Sequence, residues 1–585
     1  MRRLLLQVNT VGELGLRGFW WLGGLLVLMA GALALAQNPP SAVGPGPVIK
    51  SEVRIVLVDV VVTRGKGEPV AGLRKEDFQV SEDGRPQTVS FFERHEPTPP
   101  KPVTLPAMAP NVFTNYPGAK TTDAVNVLLL DSLNTQARDQ AYVRQQMIQY
   151  LANARPGARL AIFTLGSRLR MVRGISADPA GFSAAVEDRQ AGATPQVNRQ
   201  LATPMQVATD AQLMDGMRSP EAILAVKQFL SDESGRYTGE RIQITLQAFQ
   251  QLARFLAPIP GRKNLMWFSG SFPISFFPTT GVRGTYPEQF QGDVKHTANL
   301  LTADQVAVYP IGAQGLDVNT QYDADNVVEP SEQAELLQTA DGERARSQIA
   351  MEMLAQDTGG KAFYNTNDLG STLTEAIRDG ASYYTLAYAP TNAQRNGKYR
   401  RIDVKVNGGY KLSYRRGYYA ENAKEERAGK EKSGNDPLLT LMAFGMPDFS
   451  EVLYKVQALP VKPQPGPDAQ RVSSNTELKG PVVRYGLDFA IAVQDLKLET
   501  AADGKRRGNV EVRLIAYDRD GKPLNMVSKK SGIVVIQQVY EELRRVGLQV
   551  HQEIDVPAGE VYLRTGVYDL NSGKAGTLGI ALRHD

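Results

Sequence analysis

Val125-Asn126-Val127-Leu128-Leu129-Leu130 is an almost unbroken apolar run, and a strand of that kind has to be covered on both faces. The pattern around it agrees. Val143, Met147, Leu151 and Ala154 fall on one face of a helix predicted over 136–154. Leu160 to Leu165 is again strand-like, and a helix over 242–257 stops at Pro258. Asn264 to Phe268 and Val306 to Ile311 resume the strand pattern, a helix over 344–357 ends at Gly359-Gly360, and Tyr383 to Tyr388 reads as an edge strand. Strands alternating with helices from 123 to 420 predict an α/β fold with a doubly wound, mainly parallel, Rossmann-like sheet. An insertion at about 188–240, rich in Gln, Ala and Thr, interrupts it.

On either side the rhythm is that of β-structure. Val53 to Val62 is dense in β-branched residues, and turns at Gly65, Gly67 and Glu82-Asp83-Gly84 follow. That predicts a small N-terminal β-module over 49–96, with a Pro-rich linker over 97–122. A charged linker over 421–447 leads to 448–585, where Tyr485 to Val493, Val510 to Tyr517 and Val561 to Tyr568 predict an immunoglobulin-like β-sandwich. The chain has 585 residues, more than one core can organise, so division into several units is expected.

The start of the chain carries an address. Arg2 and Arg3 precede an apolar run from Phe19 to Leu35, and Ala34-Leu35-Ala36 supplies small residues for a signal peptidase. Residues 1–36 read as a signal peptide, Gln37 as the first mature residue, and 37–48 as a Pro/Gly/Ser-rich linker. The alternative is an uncleaved anchor, which would be the chain's only membrane contact. Either way the chain is expected to be exported: periplasmic, associated with the outer envelope, or secreted.

Composition removes several function classes. The net charge is +4, and taking away the first 36 residues, with Arg2, Arg3, Arg17 and Glu13, leaves +2; this gives no reason to expect nucleic acid. There is no cysteine, which excludes disulfides, thiol nucleophiles and cysteine–zinc sites. The four histidines, His95, His296, His551 and His584, stand far apart in no metal-ligand spacing.

Val127-Leu128-Leu129-Leu130-Asp131-Ser132-Leu133-Asn134-Thr135 resembles the first strand and metal loop of a von Willebrand factor A (VWA) domain. Further stretches resemble one subgroup, the VWFA-related family described from Acidobacteria. These are Val70 to Gln87, Pro260-Gly261-Arg262-Lys263-Asn264, Thr358-Gly359-Gly360, Tyr383-Tyr384 and Arg416-Gly417-Tyr418. Each is weak alone; their order along the chain gives them weight. The resemblance implies a VWA-type fold with a metal-ion-dependent adhesion site, where Mg²⁺ or another divalent ion sits among oxygen ligands at the carboxyl ends of the strands.

Carried over, that site is degenerate. Asp131 takes the first carboxylate position, Thr135 keeps a hydroxyl, Thr245 stands for the second-loop Thr, and Ser269 falls where an Asp belongs. Leu133 replaces a serine. No cofactor is therefore certain. Asp131 and Thr135 could instead cap the following helix. With or without an ion, Asp131, Ser132, Asn134, Thr135, Thr245, Ser269 and Ser271 form the expected binding surface for a protein or peptide.

Other signals have plainer readings. Asp518-Arg519-Asp520-Gly521 and Asp569-Leu570-Asn571-Ser572-Gly573 lack an EF-hand's downstream Glu and read as hairpin turns. Thr358-Gly359-Gly360 lacks the Lys-Ser/Thr of a phosphate loop and reads as a helix C-cap. The expected function is an exported binding, adhesion or scaffold protein, not an enzyme. The alternatives are an exported hydrolase, for which the sequence offers only unpartnered Ser, Asp and Glu, or a purely structural assembly subunit.

Overall fold

Strand Val125–Asp131 lies in the middle of a five-stranded sheet of order Val306–Gly312, Lys263–Ser269, Val125–Asp131, Leu160–Leu165, Leu169–Ser176. The first four strands pair in parallel, and the last returns antiparallel. The computed structural model describes residues 55–65, 67–96, 108–116, 124–153, 159–176, 239–270, 291–313, 348–366, 368–420, 436–461, 472, 478 and 481–583. All belong to one compact unit, Ile55–Asp585. The signal segment, the first linker and nearly all of the 188–240 insertion lie outside the described residues.

Alternation along each strand sends side chains to opposite faces of this sheet. On one face Val127, Leu129, Leu265, Trp267 and Val308 share a core with Leu246, Phe249 and Leu252 of helix 239–256, and with Leu301 and Leu354. On the other, Leu128, Ile162, Met266 and Tyr309 pack against Val143, Met147, Leu369 and Leu373. The helices bearing those four are Ala137–Asn153 and Leu369–Ala381.

The expected fold class is corrected. The chain is mostly β, and the other four sheets are wholly antiparallel. Among the described residues the parallel strand pairs join four strands of one sheet, so an α/β chain built on a doubly wound sheet does not describe the molecule.

The difference comes largely from 383–420. Tyr383–Tyr388 pairs with Val56–Arg64 on one side and Val89–His95 on the other, so it is an interior strand and not an edge. Tyr399–Val406 pairs with Phe78–Glu82 and Gly417–Tyr419. Val58, Val60, Phe78, Val80, Leu386, Tyr388, Ile402 and Tyr418 share one core between the two sheets. These pairings join segments that the sequence reading assigns to different domains. Tyr399–Val406 alternates buried and exposed positions, the mark of an antiparallel strand covered on one face.

Near the C-terminus two further antiparallel sheets enclose Val456, Leu487, Phe489, Val512, Leu514, Ile554 and Val567. One runs Leu548–Pro557, Val482–Ile491, Tyr454–Val461, Val112–Thr114. Its edge strand Val112–Thr114 comes from the stretch read as a Pro-rich linker. The other contains Arg506–Tyr517, Glu560–Asp569 and Ala575–Arg583, with Pro523–Val535 along the free side of Arg506–Tyr517. An amphipathic helix, Gln537–Val546, packs Val539, Tyr540 and Leu543 against this core. Among the described residues no helix is long and apolar enough to cross a membrane.

Candidate functional site

Val127, Leu129 and Asp131 point to the same face of the sheet by the two-residue strand period, as do Leu265, Trp267 and Ser269 on the neighbouring strand. The parallel register sets Leu129 against Trp267. Asp131 at the carboxyl end is thus flanked by the indole and by Ser269. Helix 239–256 lies over this face, with Phe249 set edge-on to Trp267 at 4.9 Å between ring centres, and brings Thr245 to the same place.

The carboxylate is saturated. Oδ1 accepts the backbone N–H of Asn134 at 2.9 Å. Oδ2 accepts from Asn134 Nδ2 at 2.8 Å, Trp267 Nε1 at 2.9 Å and Ser269 Oγ at 3.0 Å. Asn134 also donates to Thr245 Oγ1 at 3.1 Å and accepts from Arg241 Nε at 3.0 Å. Thr245 Oγ1 donates to the carbonyl of Arg241. Burial pushes the Asp131 pKa up, and the four donors pull it back.

The two loops are pinned together as well. The Gly270 N–H donates to Thr135 Oγ1 at 2.9 Å, and a Cβ on Gly270 would lie 3.1 Å from the Asn134 carbonyl oxygen. Ser132 and Leu133 N–H groups donate to the Leu165 carbonyl. Gln140 Nε2 donates to the carbonyls of Ser132 and Thr135.

The structure therefore brings together Asp131, Asn134, Thr135, Thr245 and Ser269, but in the interior. Asp131 is 2% exposed and Thr245 and Ser269 are 0% exposed; Asn134 and Thr135 are also buried. Ser132 is half-buried, and Ser271 lies outside the described residues. Of the residues expected to form the contact rim, those described are therefore buried or half-buried. Helix capping is corrected too: Asp131 caps the loop at Asn134, and Thr135 holds Gly270, while the helix begins only at Ala137. Leu133 is 2% exposed and belongs to the apolar core.

These residues do not fit a divalent cation. A hard ion needs oxygen lone pairs converging on one point, and here three N–H groups and one hydroxyl converge on the carboxylate instead. The hydroxyls of Thr135 and Thr245 are engaged elsewhere. Among the described residues no group of three or more His, Asp or Glu is arranged to hold a metal.

Sequence reasoning missed Trp267, Arg241, Gln140 and Gly270. Trp267 could have been found, because it stands two residues before Ser269 on a strand of period two. Arg241 could not, because its partner lies 107 positions away.

The remaining family-like stretches serve interior seams. The guanidinium of Arg262, 2% exposed, donates to Asn264 Oδ1 at 3.2 Å, to the Tyr309 hydroxyl at 3.2 Å and to the Gly359 carbonyl. The Arg262 N–H donates to the Tyr383 hydroxyl at 3.0 Å. Glu82 accepts from the hydroxyls of Tyr388 and Tyr418 at 2.8 and 2.9 Å. Asp83 and Gly84, both at positive φ, form the tight turn between Phe78–Glu82 and Arg85–Gln87. Thr358 Oγ1 accepts the Val308 N–H, and Gly360 N–H closes the helix end on Ala355. Asp518 and Asp569 hold their own turns by accepting backbone N–H groups within a few residues.

No family model matches the chain, and no curated relative does. Solved structures matched to it include von Willebrand factor A proteins, all at low similarity. Proximal thread matrix protein 1 from the mussel byssus is 11% identical with a TM-score of 0.21, over 44% of this chain and 48% of that one; the match spans about half of the byssus protein. A von Willebrand factor type A protein from Catenulispora acidiphila is 11% identical with a TM-score of 0.22, over 52% of this chain and 68% of that one. An aerotolerance-related membrane protein from Bacteroides fragilis is 12% identical with a TM-score of 0.21, over 43% of this chain and 98% of that one. The resemblance to the Acidobacterial family gains no support from these matches.

Proposed function

We propose that this chain is a scaffold or adhesion protein of the cell envelope, reached by export, that works by binding another protein and not by turnover. The observation that supports this reading is the closed Asp131 centre. Its polar groups satisfy one another, so among the described residues of this centre none stands ready as base or nucleophile. Thr385 illustrates the same economy elsewhere. Its hydroxyl lies 3.1 Å from His95 Nε2, yet it donates to Asp59 at 2.7 Å and is buried in mid-strand. With the Asp131 centre buried, contact with a partner is proposed to lie elsewhere on the molecule.

The test pairs a pull-down of the purified protein against envelope extract with a panel of generic hydrolase substrates. The reading predicts a retained partner, held equally well by Asp131→Asn, and no turnover. Turnover abolished by a single Asp or Ser substitution would overturn it.

A further inference from the structure

We infer that Arg241 is the resident cation of the Asp131 centre, standing in for a metal ion and making the site independent of divalent metals. The inference concerns the site's internal chemistry and holds whether or not the chain binds a partner.

A buried carboxylate needs compensating charge or a full set of donors. Asp131 has the donors, and its nearest chain of polar groups ends on a positive charge. Arg241 Nε donates to Asn134 Oδ1 at 3.0 Å, and the same amide's Nδ2 donates to Asp131 Oδ2 at 2.8 Å. Asn134 thus relays between guanidinium and carboxylate, each of its polar atoms oriented by one of the two charges. Arg241 is half-buried in helix 239–256; burial lowers its pKa, and the Asp131 charge opposes that shift. Thr245, one turn further along, accepts from Asn134 and donates back to the Arg241 carbonyl, closing the ring.

In a metal site the ion would sit between the carboxylate and the hydroxyls and draw their lone pairs inward. Here the Asn134 amide, the Trp267 indole and the Ser269 hydroxyl are oriented the opposite way, hydrogens toward Asp131. Admitting an ion would require Asn134, Trp267 and Ser269 all to turn, each abandoning a buried hydrogen bond. A guanidinium supplies positive charge with no such reorientation, and it cannot be lost to chelators.

The experiment is calorimetric titration of the full chain with Mg²⁺, Mn²⁺ and Zn²⁺, alongside thermal unfolding with and without EDTA. The expected result is no saturable heat that depends on Asp131 and no change in Tm on chelation. Saturable one-site binding that disappears in Asp131→Asn would overturn the proposal. A second measurement isolates the charge. Arg241→Lys should retain most of the stability, while Arg241→Gln, which keeps a donor without the charge, should lower Tm by several degrees. That loss should shrink in an Asp131→Asn background. Equal stability of Arg241→Gln and the unsubstituted protein would also overturn it.

Discussion

The indole N–H of Trp267 meets Oδ2 of Asp131 at 2.9 Å, across two neighbouring parallel strands and with both side chains buried. A large apolar residue thus supplies one of four donors to the carboxylate that ends strand Val125–Asp131. The contact links the core of the sheet to the loop that follows it. Trp267→Phe keeps the ring and removes the donor, and should cost about 1–3 kcal/mol. Asp131→Ala strands the indole, the Ser269 hydroxyl and two Asn134 donors, and should cost more, about 3–5 kcal/mol. Urea unfolding of both variants checks the order; equal losses would contradict it.

Arg262 should resist even a conservative change. Its guanidinium reaches Asn264, Tyr309 and Gly359 at once. Lysine offers a single ammonium with different geometry, so Arg262→Lys should lose about 2 kcal/mol or more. Unfolding at the level of the unsubstituted protein would show that the seam does not need the fork.

Two glycines should behave in opposite ways. A Cβ on Gly360 would sit 2.0 Å from the Val308 carbonyl oxygen, a backbone atom that cannot step aside. Gly360→Ala should therefore destabilise by about 1–3 kcal/mol or more. Gly292 lies exposed in helix Gln291–Ala303 with open space where a Cβ would go, so Gly292→Ala should gain up to about 1 kcal/mol. Thermal unfolding of the pair tests both signs together.

Asp357 gives a pH signature. Burial raises its pKa from the usual carboxylate value to about 7, against the opposing pull of Arg416. A carboxyl whose pKa is raised on folding lowers stability as pH rises between its unfolded and folded values, because over that window the native state holds a proton the unfolded chain has released. Its contribution is present below about pH 4 and is lost as pH rises through about 7. Asp357→Asn should remove that slope, so the difference in stability between variant and unsubstituted protein should grow in the variant's favour from pH 4 to 7. A constant difference over that range would rule the account out.

Much of the central sheet could be read from residue patterns, because Val125–Leu130, Leu160–Leu165 and Val306–Ile311 carry near-continuous apolar runs that only a doubly covered sheet accommodates. The allocation of 383–420 could not. Tyr383–Tyr388 is as apolar as a strand of the parallel sheet, and nothing local shows that its partners are Val56–Arg64 and Val89–His95, some 290 or more positions away. The site was legible as a set of positions: Asp131, Asn134, Thr135, Thr245 and Ser269 do converge. Its character was legible only in part: the strand period places Trp267 beside Asp131, but Arg241 reaches the Asp131 loop through a pairing 107 positions apart. A serine in place of an acid at 269, with Leu133 in place of a serine, was the local hint that the centre is not built to ligate.

Trp267 also offers the most direct measurement. The chain holds three tryptophans, and replacing Trp20 and Trp21 by Phe leaves Trp267 as the sole emitter. The account predicts blue-shifted fluorescence, little quenching by acrylamide, and no change on adding millimolar Mg²⁺ or EDTA. Red-shifted emission that acrylamide quenches readily, or a spectrum that follows Mg²⁺, would show an open, ion-responsive edge and contradict the closed centre described above.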